Sequence, residues 1–168
     1  MCLQINIVST TKEKNMKKII IALVILAVAS IASAQSVPSS VQQRIQQIYA
    51  QKYPNDFSMQ KTLIENQLEC YRFLQKWTTE HGVPQAVFTS VRQIYVGKYP
   101  DDYSMQKTLI QNQCECYRFL QSYISASGVP QNVFNGLKQK YSDKYPYDFS
   151  MQKTLVENQV ESYLELNR

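Results

Sequence analysis

Three groupings in this 168-residue chain combine residue types that could do chemistry. The single histidine, His81, sits just before Gly82. Acid–base or nucleophilic catalysis needs a base beside a nucleophile, or two carboxylates held across a cleft. His81 has neither in its neighbourhood of sequence, and it reads as a solvated residue at a helix C-terminus, where its charge suits the helix dipole. Cys114-Glu115-Cys116 could suggest a metal site. On a helix, however, side chains two apart point about 200° from one another and cannot chelate jointly. No metal site and no cofactor are expected.

The third grouping recurs. Thr62, Asn66 and Glu69 follow helical spacing i, i+4, i+7, and the same line returns as Thr108, Asn112, Glu115 and as Thr154, Asn158, Glu161. Stacked copies would present hydroxyls, amides and carboxylates in a ladder, suited to a glycan or a peptide. The alternative is a solvated helix face or ordinary bonds between helices, because a helix must be polar somewhere. A hydrolase of unrecognised type would draw its acids from Glu69, Glu115 and Glu161.

The ladder recurs because the chain repeats with a period of 46 residues, as copies 37–82, 83–128 and 129–168. The block Ser-Met-Gln-Lys-Thr-Leu is identical in all three. Each copy reads as two helices. Helix A carries Val41, Ile45 and Ile48 (Val87, Val91 and Ile94 in copy two) at helical spacing. It stops at Lys-Tyr-Pro after about four turns, because the residue before proline is pushed out of the α region. Asp56 or Ser58 then caps helix B, predicted over about 57–80 and roughly 35 Å long. Leu63, Gln67, Cys70, Leu74 and Trp77 lie along one line of it, beside Ile64, Leu68 and Tyr71. Gly82 and Gly128 are placed as left-handed caps of helix B, with Pro84 and Pro130 opening the next helix A.

Short turns make consecutive helices antiparallel, so the fold class is all-α: three tandem antiparallel hairpins stacked as a short α-solenoid or bundle. Differences between copies orient the stack. Phe88 and Phe134 become Gln42 in copy one, so they are expected to face the preceding repeat. Ile48 and Ile94 become Lys140, and Phe73 and Phe119 become Glu165 in copy three, so they are expected to face the following one. The ends read as polar caps on a closed set of three.

Tyrosines recur at Tyr49, Tyr95 and Tyr141, at Tyr53, Tyr99 and Tyr145, and at Tyr71, Tyr117 and Tyr163; tyrosine suits glycan stacking and protein interfaces, while Tyr53 and Tyr71 with their equivalents read chiefly as core residues whose rings reach partners at the edge. The element Tyr53, Pro54, Asp56, repeated as Tyr99, Pro100, Asp102 and Tyr145, Pro146, Asp148, reads as a fold-determining turn.

Ahead of the repeats, Met16 opens a positive stretch (Lys17, Lys18), an apolar core from Ile19 and the small-residue site Ala32-Ser33-Ala34. This resembles a bacterial secretory signal peptide, 16–34, cleaved near Ala34. Residues 1–15 read as a misassigned upstream extension, which leaves 35–168 as the repeat domain. The net charge of +5 belongs largely to the leader: four of 18 basic residues and one of 13 acidic ones precede Gln35, leaving 14 against 12, a net of +2. With scattered Lys and Arg there is no basic stripe for phosphates, so no nucleic-acid partner is expected. Membrane contact is expected only through the transient signal peptide. Export would place Cys70, Cys114 and Cys116 in an oxidising compartment, periplasmic or extracellular. Equivalent positions on stacked helices stand about 8–10 Å apart, too far for a Cys70–Cys116 bridge. A Cys70–Cys114 bridge would need staggered helices. Buried free thiols are the simpler expectation.

The paired helices are similar in outline to tetratricopeptide and Sel1-like arrays, which implies a binding scaffold, although the period exceeds 34 and the Trp-x-x-Leu-Gly signature is absent. Lys-Tyr-Pro-Asn-Asp-Phe-Ser-Met-Gln (52–60), with Asn66-Gln67 and Glu69-Cys70-Tyr71, more closely resembles a module of uncharacterised bacterial exported proteins. That resemblance carries no catalytic residue. The expected role is a non-catalytic binding or scaffold module for a protein or cell-envelope glycan. A self-assembling structural protein is the alternative.

Overall fold

The computed structural model describes residues 36–123 and 128–168; the leader and the upstream extension lie outside the described residues. Six α-helices follow in chain order: α1 Ser39–Lys52, α2 Phe57–Lys76, α3 Gln85–Lys98, α4 Tyr103–Ser122, α5 Gln131–Lys144 and α6 Phe149–Leu166. Among the described residues there is no strand. The protein is all-α, and 40–168 forms one compact unit.

The turn inside each hairpin is built three times with the same bonds. The Asp56, Asp102 and Asp148 carboxylates accept the N–H of Met59, Met105 and Met151, at 2.9, 3.0 and 3.2 Å, so aspartate rather than serine is the cap. Gln60, Gln106 and Gln152 each donate a side-chain N–H back to the carbonyl of Tyr53, Tyr99 or Tyr145, at 2.6–2.7 Å. One turn of helix thus locks the preceding loop, which accounts for the invariance of this short element.

The long helices end earlier than the periodicity predicts. α2 stops at Lys76, 20 residues and about 30 Å long. Its end is set by the next hairpin: Arg92 donates to the carbonyls of Leu74 (2.9 Å) and Trp77 (3.3 Å), and Lys138 donates to Leu120 at the end of α4. A side chain that satisfies terminal carbonyls makes further helical turns unnecessary. Gly82 and Gly128 do have positive φ, +73° and +112°, but in the loops beyond these helix ends rather than as their caps. A Cβ at Gly128 would lie 2.9 Å from the Leu164 side chain, which would have to shift, but the backbone at φ +112° is what favours glycine there.

The long helices pack side by side, α2 on α4 and α4 on α6, while α3 and α5 pack on their own hairpin partners. Phe88 meets Trp77 and Phe134 meets Tyr123 edge-on at 5.1 Å, so these rings do face the preceding repeat. Phe73 and Phe119 face the following one, each under a lysine, Lys107 and Lys153. Ile94 departs from expectation and is 45% exposed. Nor are the ends wholly polar, since Phe57 and Leu166 are 75% and 86% exposed.

Candidate functional site

The feature that sets the geometry of the array was hidden in the apolar line of helix B. Gln67 is buried, and its amide closes the start of the next long helix. Its Oε1 accepts from Tyr103 N–H (2.7 Å) and Ser104 N–H (3.2 Å), while its Nε2 donates to Asp102 (2.9 Å), Ser104 Oγ (3.2 Å) and Tyr49 Oη (3.0 Å). Gln113 repeats the arrangement on Phe149, Ser150, Asp148 and Tyr95. The first helical N–H groups have no partner within their own helix, and here another repeat supplies one. A glutamine recurring at 46-residue intervals in an apolar row was the available signal.

This clasp fixes a stagger. Gln67 meets residue 103 rather than its own equivalent, 113, so neighbouring long helices run parallel and offset by ten residues, about 15 Å. Phe73 under Lys107 and Glu80 paired with Arg118 follow the same sense. Equivalent positions are therefore much farther apart than the lateral spacing expected from sequence. The offset moves Cys114 away from Cys70, and Cys70, Cys114 and Cys116 are free. Burial pushes all three thiols up, Cys114 to about 11, with Glu80 reinforcing and Arg118 opposing the shift. Such thiols are weak nucleophiles near neutral pH.

All nine ladder residues, Thr62, Asn66, Glu69, Thr108, Asn112, Glu115, Thr154, Asn158 and Glu161, are exposed. The bonds their side chains make stay within their own helices: Thr62 and Thr154 donate to Ser58 and Ser150 carbonyls, and Asn66 and Asn112 accept from Cys70 and Cys116. The stagger turns the ladder into a diagonal row whose rungs climb about 15 Å per repeat. Glu69, Glu115 and Glu161 are correspondingly separated, beyond the roughly 5–9.5 Å of paired catalytic carboxylates.

The fold also forms two equivalent clefts that no sequence pattern announced. One, of about 470 Å³, lies beside Gln75, Thr89, Arg92, Gln93 and Pro100; the other, of about 580 Å³, beside Gln121, Asn135, Lys138, Gln139 and Pro146, their counterparts 46 residues on. Each opens where the end of one long helix meets the next hairpin. None of the nine ladder residues lines either cleft. His81 lies in the exposed turn, where its carbonyl accepts from Arg118 at 3.0 Å. Among the described residues no three His, Cys, Asp or Glu side chains converge as metal ligands, and no helix is long and apolar enough to cross a membrane.

Compared with protein-family models, with curated proteins and with solved structures, the chain has no match in any of the three.

Proposed function

We propose that this chain is an exported, non-catalytic helical-repeat module that binds a protein or a cell-envelope glycan through the Thr-Asn-Glu row on its long helices. One observation carries the reading. The groups that hold the repeats together are Gln67, Gln113 and the turn aspartates, whereas the nine row residues are exposed and, among the described residues, make no bond to another helix. Their recurrence is therefore not consumed by the fold. Hydroxyl, amide and carboxylate groups on a rigid backbone suit the many donors and acceptors of a sugar chain or an extended peptide. Repeat arrays offer such surfaces over a long span.

The test is a thermal-stability screen of the chain against peptidoglycan fragments, other oligosaccharides and peptides, because a ligand that binds only the native state raises the melting temperature. At 100 times its dissociation constant a ligand would add about 2.7 kcal/mol. The shift should disappear in the triple variant Asn66→Ala, Asn112→Ala, Asn158→Ala with the unliganded melting temperature preserved. A ligand that stabilises the triple variant equally binds elsewhere, and the row is then not the site.

A further inference from the structure

Among the described residues the clasp between repeats occurs twice, and the two halves of a third are left over, one at the start of α2 and one on α6. At the head, the start of α2 carries Asp56, Phe57 and Ser58, counterparts of Asp102-Tyr103-Ser104 and Asp148-Phe149-Ser150. Those two later sets are held by Gln67 and Gln113. Among the described residues, the Phe57 and Ser58 N–H groups have no such acceptor, and Phe57 is 75% exposed where Phe149 is 8% exposed. At the tail, Gln159 is the counterpart of Gln67 and Gln113. It is exposed and its amide makes no hydrogen bond among the described residues. Where Gln67 and Gln113 work they are 2% and 3% exposed.

We infer that the tail of one chain docks on the head of a second copy, Gln159 closing the start of α2 as Gln67 and Gln113 close α4 and α6, so that chains join head to tail.

Two further pairs, and the exposure of apolar residues at both ends, agree with the same placement. Tyr71 meets Tyr103, and Tyr117 meets Phe149, edge-on with ring centroids at 5.0 Å; the third pair of that series is Tyr163 with Phe57 of the next copy. Lys107 and Lys153 lie over the Phe73 and Phe119 rings. Their counterparts are Lys61 and Glu165, so the cation–ring contact becomes an ion pair of opposite charges across the junction. On the head, Ile64 and Leu68 are only half-buried, while Ile110, Cys114, Val156 and Val160, at the same positions, are at most 4% exposed. On the tail, Leu166 is 86% exposed where Leu74 and Leu120 are 3% and 4%. Gln42 is exposed on the head. Phe88 and Phe134, its counterparts, pack on Trp77 and Tyr123 of the preceding repeat. The contact is heterologous, so repeated addition gives an open array rather than a closed dimer. It stands independently of the ligand proposed for the Thr-Asn-Glu row.

Sedimentation of the full chain tests this up to about 1 mM, the effective concentration that a short tether supplies between repeats of one chain. The wild-type chain should show a concentration-dependent series above the single-chain mass. The head variant Phe57→Asp and the tail variant Gln159→Glu alter exposed side chains, so both should keep the wild-type circular dichroism. Each alone should lose the series, because one end of every chain is disabled. Mixed in equal amounts, the intact tail of the first meets the intact head of the second, and a one-to-one pair should form and grow no further. Lys61→Glu alone should weaken association, and Lys61→Glu with Glu165→Lys in one chain should restore it. A wild-type chain that stays single at 1 mM overturns the proposal, as does a wild-type head occupied by a segment of its own chain. Association that persists unchanged in both single variants, as a contact through the leader would, overturns it as well.

Discussion

The Gln67 amide and the Asp102 carboxylate, 35 residues apart in the chain, meet at 2.9 Å, and through that contact one repeat closes the open end of the next repeat's long helix. Asp102 simultaneously caps its own helix at Met105, so a single carboxylate joins local and long-range structure. The same pairing recurs between Gln113 and Asp148 at 3.3 Å.

Replacing Gln67 or Gln113 with leucine should destabilise the protein by about 2 kcal/mol or more, because buried helical N–H groups lose their acceptor. Gln159→Leu, at an exposed position, should stay within about 0.5 kcal/mol. Urea unfolding followed by the fluorescence of the single tryptophan, Trp77, measures both. Equal effects at the three positions would contradict the clasp.

Stability should fall on acidification through the titration of Asp102. Burial alone would raise its carboxyl, but hydrogen bonds from Gln67, Met105 and Ser104, with Lys52 nearby, hold it below its ordinary value of 3.8. A carboxyl depressed in the folded state stabilises above its unfolded value, and that contribution is lost as pH falls through the folded one. Between pH 5 and the lowest pH at which the protein stays folded, Asp102→Asn should therefore show a shallower loss of stability than the wild type. An unchanged pH profile would mean that Asp102 is not held in this way.

Glycine substitutions should split by position. Gly128→Ala places a side chain at φ +112° and against Leu164, and should cost about 1–3 kcal/mol. Gly136 lies within α5 with nothing near its missing Cβ, so Gly136→Ala should stabilise by about 0.5–1 kcal/mol. Thermal unfolding of the two variants gives both signs.

Alkylation at pH 8 should modify Cys116, which is partly exposed, ahead of Cys114, which is 1% exposed with its thiol pushed up to about 11. At that pH only about a thousandth of Cys114 would be thiolate. Peptide mapping after iodoacetamide should show Cys114 unmodified until denaturant is added. Labelling of Cys114 as fast as Cys116 would contradict its burial.

Much of the architecture was legible because it is local. The 46-residue period, Lys-Tyr-Pro as the end of each short helix and the aspartate cap are all written in residues a few positions apart, and backbone sterics and capping act over that range. Phe88 and Phe134 were legible for a different reason: their replacement by Gln42 in the first copy marks the face they cover. Gln67 was misread as one more member of an apolar row, because helical periodicity reports which face is buried and not what a buried amide touches. The early end of α2 was missed because Arg92, 15 residues beyond Trp77, sets it.

By itself, then, the order of amino acids determined that three like hairpins form, where their short helices stop and which rings look backward along the stack. Tertiary structure alone decided the ten-residue slide between parallel neighbours, and with it the separated cysteines, the diagonal course of the Thr-Asn-Glu row and the two clefts. The physical reason is that a helix's own periodicity is unchanged when a neighbour slides along it. Only the contact of Gln67 with Asp102 and Tyr103, and of Gln113 with Asp148 and Phe149, selects one register from the many that bury the same apolar face.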